Sequence, residues 1–372
     1  MSGPLYPAAR VHAQRIEEHF ARHLADAGQA SAAAGPDAAT IEALVDAAFW
    51  ASLQREEGYL PEISLAFLPP DRAVWPMLLK EPLPLGPRSL ARLAPAVERP
   101  GIHLGVWRVG GELRVWGTTR AVPTFCMVVE VVGPGLLVVK HRVDEESAKF
   151  RNVAVFEGEQ VKLMRWGVVG LEDAPALLRH MLGPESSSPA DDDAADVLLR
   201  LAVSMRAHKR GGTLLVVPAG TESWRASILR PIAYEVHPPF SELAELVRDA
   251  PAGHLAEVAR VVEEIAGLTA VDGATVINDR FELLAFGVKI GRPDGRARVE
   301  RVMRSEPVEG GSEEVVVPLQ LGGTRHNSAA QFTQDQRDAF AMVASQDGRF
   351  TLMGWSEREN MVHAHRIEAL LL

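Results

Sequence analysis

Two helical patterns open the chain. Ile16, Phe20 and Leu24 recur at i, i+4 and i+8, and after the Gly35-Pro36 break Ile41, Leu44, Val45, Ala48 and Phe49 keep the same period. Each set predicts one apolar stripe on an amphipathic helix. From Ile63 to about Leu163 the pattern changes to short β-rich runs: Gly101–Arg108, Glu112–Thr118 across the Gly110-Gly111 turn, Phe125–Val132, and Leu136–Val143 across Gly133-Pro134-Gly135. These predict an α+β, hairpin-rich domain over residues 1–182. Pro69–Pro100 is proline-rich and reads as an extended, irregular connection. Residues 183–195 hold Ser, Pro and Asp with almost no large apolar side chain, which predicts a solvated linker.

Beyond the linker, Val197, Leu198, Leu201, Ala202 and Met205 predict a helix and Thr213–Val217 a strand. Helical stretches follow near Ser241–Arg248 and His254–Ala266. Strands are predicted at Ala274–Ile277, Phe281–Phe286 and Glu314–Leu319, then a hairpin from Phe340–Ser345 and Arg349–Trp355. Helices and strands mixed in this order predict an α/β fold, a mixed sheet with flanking helices over 196–358, followed by a C-terminal helical tail at 359–372.

Composition narrows the function classes. The 372 residues carry 39 Lys and Arg against 49 Asp and Glu, a formal charge of −10, so the overall field does not favour a phosphate backbone and nucleic acid is not an expected partner. The one cysteine, Cys126, excludes an internal disulfide and a Cys-based zinc site. No charged start followed by an apolar core appears at the N-terminus, and the apolar run Phe125–Val139 is broken by Glu130 and a Gly-Pro-Gly turn. The expectation is a cytoplasmic chain with no membrane segment.

Two segments could carry chemistry. Gly322-Gly323-Thr324-Arg325-His326 precedes a predicted helix. Glycines let backbone N–H groups approach an anion, Arg offers a planar fork, and a helix start adds a favourable dipole. The plain alternative is a capped helix start with an exposed Arg. Asp272-Gly273-Ala274 precedes an apolar strand, and its plain alternative is a tight turn. Trp107, Trp116 and Trp166 read as core anchors before pocket lining. His19 with His23, and His363 with His365, read as solvated faces before metal ligands. The five arginines between Arg292 and Arg304 read as a charged loop beside the site, placed to cap a ligand.

Taken together, Asp272-Gly273-Ala274, a strand pair, a loop, Gly323-Thr324-Arg325-His326 and a hairpin turn beginning Ser345-Gln346-Asp347-Gly348 resemble the diadenylate cyclase (DAC) domain. The resemblance spans roughly 196–358. The first half looks like the probable sensor domain called DACNV, which precedes some members, and its signal is unknown. The resemblance implies that two ATP molecules are joined into cyclic di-AMP, with Mg2+ or Mn2+ as the divalent metal. It implies that Asp272 activates a hydroxyl, that Gly273 and Ala274 lie against ribose and base, and that Gly323, Thr324, Arg325, His326 and Ser345 bind the nucleotide. Asp272 and Asp347 are the implied metal ligands. Ring closure then needs a homodimer or higher oligomer, since each site holds one ATP. Val271, Asn327 and Gln346 stand where the family often has His, a second basic residue and Glu. Those departures keep open an alternative: a catalytically weak or inactive sensor that binds ATP or a cyclic dinucleotide.

Overall fold

The computed structural model describes residues 5–26, 35–56, 58–99, 101–142, 150–165, 189–249 and 255–372. They form a mixed α/β protein with two mixed sheets and flanking helices, divided into units Met1–Met164 (with Leu372) and Arg165–Leu371. The division falls ahead of residue 182; 166–188, with Trp166 and the start of the expected linker, lie outside the described residues.

The first unit runs α1 (Pro7–Asp26), α2 (Ala38–Ser52), β1 (Ile63–Phe67), β2 (Met77–Pro84), α3 (Pro87–Leu93), β3 (His103–Val109), β4 (Glu112–Thr119), β5 (Met127–Gly133), β6 (Leu136–Arg142), β7 (Phe150–Glu157) and β8 (Gln160–Leu163). Its sheet has the order β2-β4-β3-β1-β5-β6-β7-β8. The Asp37 carboxylate accepts the Thr40 N–H at 2.7 Å and so caps α2. The stripe Ile41, Leu44, Val45 and Ala48 then packs on Leu65, Val129 and Leu137. Strand alternation sends Met127, Val129 and Val131 to this core and Val128 to a smaller cluster on the opposite face, with Leu68, Trp116 and Cys126.

Trp116 is a core anchor, as expected: it is buried and its Nε1–H donates to the Leu68 carbonyl at 2.9 Å. Burial pushes the Cys126 thiol up to about 12. Within Pro69–Pro100 the structure forms edge strand β2 and helix α3 where an irregular connection was expected. An edge strand tolerates Pro82 and Pro84 because its outer side has no ladder to complete. His19 is buried beside Phe20 instead of lying on a solvated face, since α1 packs that side onto the unit; the side chain of His23 lies outside the described residues.

The second unit runs α4 (Pro189–Ala207), β9 (Gly212–Val217), β10 (Tyr234–Phe240), α5 (Glu242–Asp249), α6 (Leu255–Leu268), β11 (Ala274–Asn278), β12 (Leu283–Val288), β13 (Val302–Ser305), β14 (Glu314–Val316), α7 (Thr324–Asp335), β15 (Phe340–Ala344), β16 (Phe350–Ser356) and β17 (Met361–Arg366). Its sheet has the order β10-β12-β11-β9-β15-β16-β17-β13-β14. Leu198, Leu201, Val261 and Ile265 of α4 and α6 cover one face, over Leu214, Val216 and Met342. Ala329, Ala330 and Phe332 of α7 cover the other, over Leu215, Val217 and Val343. With helices on both faces, β9 is buried at every position, and its last four residues, Leu214–Val217, are all apolar.

Two sequence expectations are corrected here. Residues 189–195 of the expected linker belong to α4, whose first position is a proline, a residue with a preset φ and no N–H to leave unpaired. The expected helical tail is instead β17, paired to β16 and β13. Val362 and Ala364 alternate with His363 and His365, a period of two, and both histidines are buried, with His365 Nδ1 2.7 Å from the Ser305 hydroxyl.

Candidate functional site

Strand register gathers the distant segments at one end of the second sheet. β9 and β11 run parallel, with Thr275 beside Leu214. β15 runs antiparallel to β9, with Ala344 opposite Gly212, and β12 antiparallel to β11, with Ala274 opposite Val288. Residues just outside those strand ends therefore share an edge: Gly211, Asp272 with Gly273, Lys289, and Ser345. Helix α7 brings Arg325 to the same place, because a β carbon on Gly211 would stand 3.0 Å from Arg325 Nη1.

Gly273 makes the close approach possible. Its φ of +131° belongs to the region that favours glycine, and a β carbon there would meet the Gly287 carbonyl carbon at 2.5 Å and the Gly287 and Val288 oxygens at 2.7 Å. Ala274 is buried in the core beneath. The Asp272 side chain is 96% exposed and takes Lys289 Nζ at 2.6 Å. The hydrogen bond and charge of Lys289, with a smaller pull from Arg325, hold its carboxyl below the usual range. Asp272 is an ionised, solvent-facing acceptor.

Opposite it, the half-buried Arg325 guanidinium forms no hydrogen bond or ion pair with the described residues. Gly323 caps α7 without a side-chain hydrogen bond, and its carbonyl accepts from both His326 and Asn327. The Thr324 and Arg325 N–H groups, in the first turn, have no partner within the helix, the arrangement by which a helix start binds an anion. Beside Gly287, the 51% exposed Tyr234 ring stacks on Phe286 at 4.9 Å between centroids.

His326 takes a different position from the one the motif suggests. It is 2% exposed, with Nε2 3.2 Å from the Thr351 hydroxyl, and burial pushes its imidazole down to about 4. A neutral ring wedged between α7 and the sheet fixes the helix start; it does not offer a charge to an anion. Because the folded value lies below the ordinary 6.5, the unfolded chain takes up this proton first as pH falls. The stabilisation is whole above about pH 6.5 and drains away toward pH 4, at up to about 1.4 kcal/mol per pH unit. Urea melts of wild type and His326→Gln across that window check this: the wild-type slope should be the steeper.

Ser345 begins the hairpin turn, and the Asp347 carboxylate folds back on that turn, accepting from the Ser345 hydroxyl and from the Arg349 N–H at 3.3 Å. Gln346 donates to the Arg210 carbonyl at 3.3 Å. Among the described residues, no group of three or more His, Cys, Asp or Glu could hold a metal ion. Of the two implied ligands, Asp347 serves its own turn, and Asp272 faces solvent with Lys289 Nζ on one of its oxygens. A magnesium ion carried by nucleotide phosphates takes only one or two protein carboxylates, so Asp272 fits that mode.

The arginine-rich segment is not at this end. Pro293 and Arg296 line a cavity of about 660 Å3 with Val217, Trp224, Asp335 and Arg337, past the opposite end of β9. The reading of that loop as a cap over the site is corrected: β12 ends at the site, and the segment that follows crosses to the far edge.

Sequence reasoning missed Lys289, Gly211 and Tyr234. None stands in a local motif, and only the pairing of β12 with β11 and β10 could have marked Lys289 and Tyr234.

Comparison with known proteins adds the following. Residues 30–120 match the family described as "Probable sensor domain DACNV". No curated protein matches the chain. Among solved structures, a hypothetical membrane spanning protein from Bacillus cereus aligns at 15% identity and a TM-score of 0.27, over 46% of this chain and 62% of that one. The chain thus spans less than two thirds of that structure. A double mutant of DacA from Staphylococcus aureus aligns at 10% identity and a TM-score of 0.26, over 48% of this chain and 89% of that one. Among the described residues, no helix is long and apolar enough to cross a membrane.

Proposed function

We propose that the second unit is a diadenylate cyclase domain, which joins two ATP into cyclic di-AMP and releases two pyrophosphates, under regulation by the first unit. One observation carries this: an exposed, ionised Asp272 and an unpaired Arg325 at an open helix start converge on one sheet end from segments about fifty residues apart. The DACNV match over 30–120 supports a sensor placed ahead of the cyclase.

In this reading the triphosphate lies against Arg325, Thr324 and the first N–H groups of α7, where a guanidinium fork and backbone donors neutralise it. Asp272 accepts the proton of a ribose 3'-hydroxyl. The freed oxygen attacks the α-phosphorus of the second ATP, and the bond to pyrophosphate breaks. A second identical step closes the ring. A divalent ion on the phosphates, held through Asp272, would supply further charge neutralisation. Positioning provides most of the rate, as is general for transfer at phosphorus. Each chain offers one acid and one anion cradle, so two copies must face each other.

Purified protein with ATP and Mg2+ or Mn2+ tests the reading, with products separated by chromatography and identified by mass. Cyclic di-AMP is the expected product; none across metals and protein concentrations rejects it. Tight ATP binding without turnover would favour the sensor alternative, which Val271, Asn327 and the turn-bound Asp347 motivate. In either case Arg325→Ala is expected to weaken ATP binding about 10- to 100-fold by calorimetry, the size of a lost charge-assisted contact. Tyr234→Ala should weaken it about 5- to 50-fold, since the exposed ring is placed to stack a base.

A further inference from the structure

The last residue of α7 carries a carboxylate where the fold does not favour one. Asp335 is only 9% exposed, and the carbonyl end of a helix repels negative charge. Gln331 Nε2 donates to its Oδ2 at 2.9 Å, but among the described residues nothing donates to Oδ1 and no cation pairs with the group. Burial raises its proton affinity, which the more distant Arg296 and Arg292 offset only in part. A buried carboxylate in this state costs stability unless a cation meets it.

Asp335 lines the cavity of about 660 Å3 at the end of β9 away from Asp272, a volume within the roughly 300–1,000 Å3 usual for small-molecule sites. Val217, Trp224 and Pro293 supply apolar wall. Arg296 and Arg337 bring two guanidiniums to the same cavity. Arg337 lies over the Trp355 ring, 3.7 Å from Glu357, whereas the exposed Arg296 side chain has no hydrogen bond or ion pair with the described residues. A metal ion would face both guanidiniums, and no group of three ligands forms here among the described residues. A polyphosphate would face Asp335 and Asp338. The lining suits a molecule that carries both charges.

We propose that this cavity binds a small zwitterion, a free α-amino acid, with its ammonium on Asp335 and its carboxylate on the Arg296 guanidinium. The ammonium supplies the donor that Oδ1 lacks, and a guanidinium fork takes a carboxylate through two parallel hydrogen bonds. The apolar wall leaves room for the side chain of the ligand. Nothing here depends on the cyclase reading, since Asp272 and Arg325 lie at the other end of the sheet.

Thermal melts of the full chain with each of the twenty standard L-amino acids in turn give the first test. At least one is expected to raise the melting temperature by about 2 °C or more, and no shift from any of them overturns the proposal. Calorimetry with that amino acid then compares variants. Asp335→Asn keeps an oxygen for Gln331 and removes the charge; it should weaken binding about 10-fold or more, as should Arg296→Met. Arg325→Ala should bind as wild type does. Unchanged affinity in Asp335→Asn or in Arg296→Met, or lost affinity in Arg325→Ala, overturns the proposal. Without ligand, Asp335→Asn should melt no lower than wild type, because an uncompensated charge is gone. A lower melt would mean that the carboxylate serves the fold, and overturns the proposal as well.

Discussion

Asp272→Asn is expected to lower cyclic di-AMP formation by about 10²- to 10⁴-fold, the usual worth of a positioned acid or base, without shifting the melting temperature. Activity and stability separate here because the side chain projects into solvent and, among the described residues, bonds only to Lys289. Surface ion pairs of this kind contribute little to folding. Timed chromatography of the product, beside thermal melts of both proteins, checks the two halves of the expectation. A variant that keeps more than a tenth of wild-type turnover would mean that another group takes the proton.

Gly273→Ala should give the opposite profile, losing stability and activity together. The new side chain would hold an L residue at φ +131° and drive its β carbon into the Gly287 carbonyl. Backbone strain of that kind costs about 1–3 kcal/mol before any collision, and the collision is with main chain, which cannot step aside. Gly348→Ala is the matched control: it has φ +86° but nothing within 4 Å of an added β carbon. Urea unfolding should show Gly273→Ala losing at least about 1 kcal/mol more than Gly348→Ala, with product formation lost only in the first.

How much of this was legible in the sequence depended on whether the signal was local. α2 and α4 were readable because their apolar residues repeat at helical spacing and one face of each meets a sheet. β9 was readable from the apolar run Leu214–Val217. β17 was not, because buried histidines carry a polar label in any hydropathy pattern, although they pair and bury like their neighbours. β2 was hidden by its prolines, which an edge position tolerates. At the site, Asp272-Gly273 and Gly323-Thr324-Arg325 were visible as local chemistry. Lys289 depends on register between two strands, and the interior position of His326 depends on how α7 is rolled against Thr351. Neither is written in any short window.

The buried state of Cys126 has a practical consequence. A thiol pushed up to about 12 and enclosed by Leu68, Trp116 and Val128 presents almost no thiolate to solvent at neutral pH. The natural chain is therefore close to silent toward maleimide dyes and nitroxide labels. One cysteine introduced at an exposed position such as Asp338 would be the sole fast-reacting handle. Distances measured between labels on two copies would then report directly on how they approach, with no need to strip the native sulfur from the interior.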